Sequence, residues 1–262
     1  MRRKNGVPLT AGFTIVELTV ALFLFALLFG SIGIPLQTQI ENRKIEQTER
    51  LLHEAREALL GYAAAHGYFP CPATAASAGQ EPAGSDHASG VCPTYHGFLP
   101  AATLSFPGSD WQGYGADGWG GAVNRIRYAV ARQSVGPGAH ANTFTRTNGM
   151  RTAGIARLAA PSLSLLHVCS SGTGVAAGRS CGRAATIVST TPVVLWSVGA
   201  NAAAGGRSVD EAQNPNPNGG SADAVFVSRV RSTIAGNEFD DIVTWIPMPV
   251  VVSRMVVAGQ LP

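Results

Sequence analysis

The sequence predicts an α+β protein: a long N-terminal α-helix, part of it transmembrane, packs on a C-terminal antiparallel β-sheet domain with disulfide-stapled loops. Three observations lead there. An uncharged apolar run lies near the N-terminus, an amphipathic stretch follows it, and short apolar runs punctuated by turn residues fill the rest. With 31 Gly, 16 Pro and only 13% charged residues in 262, the composition describes a loop-rich domain and not a helical bundle. Four segments follow: a leader at 1–12, a transmembrane helical half at 13–37, an amphipathic half at 38–66, and a β-rich domain at 67–262.

The apolar run comes first. Residues 18–36 carry no formal charge, and at 1.5 Å per residue they reach roughly 30 Å, enough to span a bilayer. Arg2, Arg3 and Lys4 ahead of the run hold the N-terminus on the cytoplasmic side and deliver the remainder across. Ala11-Gly12 precede the run, whereas an ordinary secretory signal puts its small-residue cleavage site after it, so cleavage is expected ahead of the helix. Glu17 is the anomaly, because an ionised carboxylate toward the membrane interior costs about 2.5–3.5 kcal/mol. No basic residue follows it before Arg43, so the nearest cation is the α-amino group that cleavage after Gly12 would create on Phe13, on its own or a neighbouring chain. The alternative is a carboxylate that reaches the headgroups and does nothing further. Pro35, with Gly30 and Gly33 nearby, predicts a kink or a melted stretch.

Beyond it, Ile45, Leu51, Leu52, Ala55, Ala58, Leu59 and Tyr62 form an apolar stripe on a helix that ends near Gly67. Strands are expected at 125–131, 186–188, 193–198, 224–230 and 241–246, and a short helix at 247–259. The Asn214-Pro-Asn-Pro-Asn-Gly stretch reads as an exposed, turn-rich connection.

Cys71, Cys92, Cys169 and Cys181 form an even set in a chain with an export-like start, which favours disulfides. Of three connectivities, Cys71–Cys92 with Cys169–Cys181 closes the shorter loops. Zinc is the weaker reading, since no Cys-x-x-Cys occurs and Cys92 with His96 supplies two ligands at most. The formal charge of +3 resides entirely in the leader, so the remainder is neutral and nucleic acid is not an expected partner. The glycines of Gly113-Tyr-Gly115-Ala-Asp-Gly118 match a dinucleotide fingerprint without its βαβ context. With scattered histidines and no Gly-x-Ser-x-Gly elbow, the sequence offers no catalytic constellation and does not read as an enzyme.

Gly12-Phe13-Thr14-Ile15-Val16-Glu17-Leu18 and the apolar run behind it resemble the class III signal of type IV prepilins and type II secretion pseudopilins. The resemblance implies that a prepilin peptidase cuts between Gly12 and Phe13, that Phe13 is N-methylated, and that Glu17 neutralises the amine of an adjacent subunit during assembly. It implies a pilin-like fold whose 13–37 half forms the filament core, and other pilin or pseudopilin subunits, the peptidase and the inner membrane as partners. It also implies a bacterial, single-pass inner-membrane protein with a periplasmic C-terminal domain, later part of a pilus or pseudopilus. The expected function is a structural, and by its size minor, subunit; the alternative is a membrane-anchored or pilus-tip module that binds a surface, an exoprotein or DNA. Asp117-Gly-Trp-Gly120, Trp196-Ser-Val-Gly-Ala-Asn201 and Asp240-Asp-Ile-Val-Thr-Trp245 are looser matches to the pseudopilins. In major pseudopilins the last two regions bind calcium, so calcium near Asp240 is an expectation from resemblance. Asn201 stands where an aspartate is expected, and a strand-entry turn is the other reading of Asp240-Asp241.

Overall fold

The structure, a computed structural model, describes residues 12, 14–27, 37–138, 140–176, 178–204, 208–214 and 223–262. Leader residues 1–11, Phe13 and the turn residues 215–219 lie outside the described residues, as does the kink expected at Pro35 with Gly30 and Gly33. The chain divides into two compact units, Met1–Arg43 and Lys44–Pro262, and helix α1 (Ile15–His66) has a part in each.

In the first unit the described part of α1, residues 15–27, turns apolar side chains outward on every side. Ile15, Val16, Leu18, Val20, Leu22, Phe23, Leu24, Phe25 and Leu27 are all more than half exposed. Among the described residues no helix is long and apolar enough to cross a membrane. The expected transmembrane half at 13–37, and with it the single-pass inner-membrane placement, is corrected accordingly.

The second unit begins with the remainder of α1, which buries Thr48, Leu52, Ala55, Leu59, Leu60 and Ala63. These positions recur every three or four residues, the spacing of one helical face. The expected stripe contained Leu52, Ala55 and Leu59; it missed Leu60, Ala63 and Thr48, the last of which donates its hydroxyl to the Lys44 carbonyl and accepts from the Gly118 amide at 2.9 Å. The helix stops where Gly67 turns to φ 83°, with its amide donating to the Ala63 carbonyl at 2.8 Å.

Leu52, Ala55, Leu59, Leu60 and Ala63 share one hydrophobic core with residues of two sheets. The first takes β1 (His96–Phe98), β2 (Arg127–Val130), β5 (Val193–Ser197) and β7 (Ile242–Ile246), all antiparallel and in that spatial order. The second places β3 (Leu166–Cys169) between β4 (Thr186–Thr191) and β6 (Val225–Val227). β3 runs antiparallel to β4 but parallel to β6, with Val168 opposite Phe226. The single antiparallel sheet expected from the sequence is therefore corrected to two sheets, one of them mixed. The short helices α2 (Gly149–Ala153) and α3 (Ile155–Leu158) precede β3. A parallel pair needs a crossover connection, and here β4, β5 and the helix α4 (Val209–Gln213) all lie between β3 and β6 in the chain.

The sheets meet at Trp196 of β5 and Phe226 of β6, whose ring centroids are 5.0 Å apart and both of which are fully buried. The last helix, α5 (Met248–Val257), adds Met248, Val251 and Met255 to the same core. Two disulfides, Cys71–Cys92 and Cys169–Cys181, staple the loops ahead of β1 and after β3, and no described cysteine is free. Closing loops of this size restricts the unfolded chain by about 3 kcal/mol each in the chain-entropy account.

Candidate functional site

Two places gather the residues singled out from the sequence. The first is the start of α1. Thr14 and Glu17 form a reciprocal cap: the Glu17 Oε2 accepts from the Thr14 amide at 3.0 Å, and the Thr14 hydroxyl accepts from the Glu17 amide at 3.2 Å. The Thr14 hydroxyl also donates to Glu17 Oε2 at 3.0 Å. This is the capping box, in which each side chain satisfies a backbone donor that the first helical turn leaves without a partner. The Thr14 amide and hydroxyl hold the Glu17 carboxyl below its usual range. The charge read from the sequence as waiting for an amine thus has local donors in this chain. Gly12 is exposed just ahead of the cap, with open space around it, and Phe13 lies outside the described residues.

The second place is built by the three looser motifs, which the fold brings together. Asp117 accepts from the Trp119 amide at 2.9 Å, from Asn124 Nδ2 at 3.3 Å and from the Ser197 hydroxyl. Asn124 also donates to the Gly199 carbonyl at 2.6 Å, which ties the segment at 117–120 to the turn after β5. Gly199 sits at φ 67° with Asp240 so close that a Cβ would meet its Cγ at 2.5 Å, so only glycine fits the turn.

Asp240, Asp241 and Glu211 then converge, each offering a carboxylate oxygen within 4.8 Å of the others. Glu211 comes from α4, whose Ser208 cap accepts the Glu211 amide at 3.1 Å. Glu211 Oε1 accepts from the Asp240 amide at 3.0 Å and from Asn201 Nδ2 at 2.9 Å. Asn214 donates to Asp241 Oδ2 at 2.7 Å and to the Val227 carbonyl at 3.0 Å, while its own oxygen accepts the Val227 amide at 2.7 Å. The connection expected to be exposed thus begins with a buried residue. Burial, then the charge of Glu211, raises Asp240 to about 6. Burial and the same neighbours push Asp241 well above the carboxylate range.

This donor set fits the calcium that the resemblance implies. Three carboxylates are hard oxygen ligands suited to calcium, and Asp240 Oδ1 is buried with no hydrogen-bond partner among the described residues. Glu211, Asp240 and Asp241 would hold the ion, which supplies the positive charge that lets all three ionise together. Asn201 is not among the ligand carboxylates; its amide orients Glu211, which reasoning from sequence passed over. The spacing Ser208-x-x-Glu211 was the available signal, since it marks a helix start. A second group, Cys71, Glu81 and His87, offers no thiolate because Cys71 is in a disulfide. The two-ligand zinc reading fails likewise: Cys92 is bonded to Cys71, and His96 is buried.

Comparison with protein-family models, with curated proteins and with solved structures gives no match.

Proposed function

We propose that this protein is a filament subunit of the type IV prepilin and pseudopilin kind, cut between Gly12 and Phe13 by a prepilin peptidase and assembled through the start of α1. The observation that carries the reading is the outward-facing apolar surface of residues 15–27. A helix that is apolar on all sides is a helix meant to be surrounded. Copies of the same segment, or of related subunits, would supply that jacket. The reciprocal cap keeps Glu17 as the N-terminal charge of the helix, and Gly12 ahead of it is exposed.

Co-expression with a prepilin peptidase tests it: the mature chain is expected to begin at an N-methylated Phe13 and to appear in sheared filaments. An intact N-terminus under those conditions would refute the reading. A second reading, a tip module that binds a surface or an exoprotein, is favoured by Trp111, whose side chain is 91% exposed. Asp110 pins its turn by accepting the Gln112 and Tyr114 amides at 2.9 Å each. Subunit stoichiometry in the filaments separates the two, because abundance equal to the main subunit excludes a tip role.

A further inference from the structure

A cleft of about 630 Å³ opens in the second unit between β1 and β2 of the first sheet and β3 and β6 of the second. Arg132, just past the end of β2, and Arg179, on the second stapled loop, line it, and both are exposed. Neither makes an ion pair among the described residues. The Arg132 guanidinium lies over the Tyr95 ring at 5.3 Å, a contact that holds the charge in place without neutralising it. Asp223 is the one acid among the lining residues. Its two oxygens are already engaged, by the Val225 amide and by Gln213 Nε2, each at 2.9 Å. His96 belongs to the lining as well. Its buried ring stacks on Phe226 at 5.5 Å, and its Nδ1 has no hydrogen-bond partner among the described residues.

Both sides of the cleft are covalently fixed. Cys92 lines one side and is bonded to Cys71; Arg179 stands two residues before Cys181, which is bonded to Cys169. Rigid walls reduce the ordering cost that a ligand would otherwise have to offset. The result is a preformed cleft with two guanidinium groups on separate elements, neither in an ion pair among the described residues. We propose that it binds an acidic peptide segment of a partner protein, with side-chain carboxylates received by Arg132 and Arg179. Guanidinium groups match carboxylates in geometry and charge. The volume exceeds what one inorganic anion fills, and two arginines are too few for the many phosphate contacts that nucleic acid binding rests on.

The full chain is titrated at low ionic strength with an acetylated pentaglutamate peptide, a pentalysine peptide and inorganic phosphate, followed by calorimetry and by amide NMR shifts. Pentaglutamate is expected to bind, to shift amides lining the cleft, and to weaken as salt screens the charges. The double variant Arg132→Glu/Arg179→Glu is expected to lose at least about tenfold in affinity while keeping a cooperative melting transition, lowered only by loss of the exposed Arg132–Tyr95 contact. Undiminished binding by that variant, phosphate binding as tight as the peptide, or no pentaglutamate binding would each overturn the assignment.

Discussion

Within α1 the two described parts use apolar residues in opposite ways. Residues 15–27 carry large apolar side chains all around and expose them. From Thr48 onward the apolar residues keep to one stripe, every three or four positions, and bury it against the sheets. Helical propensity does not distinguish the two parts; the angular spread of the apolar residues does. A narrow stripe is satisfied by its own domain, whereas a complete apolar jacket asks for other chains.

The largest effect that sharpens this contrast is expected from matched substitutions. Leu59→Ala removes a fully buried side chain and should destabilise the domain by about 2–5 kcal/mol in denaturant titrations. Leu24→Ala, in the exposed part, should leave that transition unmoved while lowering incorporation into filaments. A Leu24→Ala chain with a shifted midpoint and normal incorporation would erase the distinction.

An intermediate effect is expected at the acidic cluster. Burial raises the Asp240 carboxyl from its ordinary range to about 6 in the folded chain. The folded state therefore keeps a proton that the unfolded chain releases, and the stability this contributes is fully present below about pH 4 and lost as pH rises through about 6. Calcium should reverse the loss by favouring the ionised trio, raising the melting temperature above pH 6 and progressively less below it. Saturation a hundredfold above the dissociation constant corresponds to about 2.7 kcal/mol. Glu211→Gln should abolish the calcium response, and scanning calorimetry with and without calcium at pH 5 and pH 7.5 reads both. The smallest effect belongs to Thr14→Ala, which takes away half of the reciprocal cap. Hydrogen exchange should quicken in the first turn of α1 and nowhere in residues 44–66.

Much of the second unit was legible because its signals are local. Gly67 as a helix stop, the strands β5 and β7, the helix α5 and the cysteine pairing all follow from short-range pattern. β1 and β3 were not legible. β1 is three residues long with Gly97 at its centre, where a Cβ would meet the Ala73 carbonyl at 2.4 Å. In β3 the apolar run is broken by His167, which is buried. The parallel pairing of β3 with β6 could not be foreseen, because register between strands so far apart in sequence is set by packing and not by local propensity. At the candidate site, Asp240 and Asp241 were visible as a pair of acids. Glu211 was not, because its role depends on α4 folding back onto β6 and bringing the carboxylate to the Asp240 amide. Thr14-Ile-Val-Glu17 carries the capping spacing openly, a local answer to the Glu17 charge beside the amine and the headgroups that the sequence reading considers.

Asn214 has a consequence of another kind. By giving its oxygen to the Val227 amide and its nitrogen to the Val227 carbonyl, one side chain occupies the outer rim of β6 as a neighbouring strand would. An open rim is a template on which foreign chains accrete. The mixed sheet is thereby sealed against edge-to-edge aggregation on that side, by an amide that also steadies Asp241. Protection from misassembly and the geometry of the acidic cluster thus hang on the same residue.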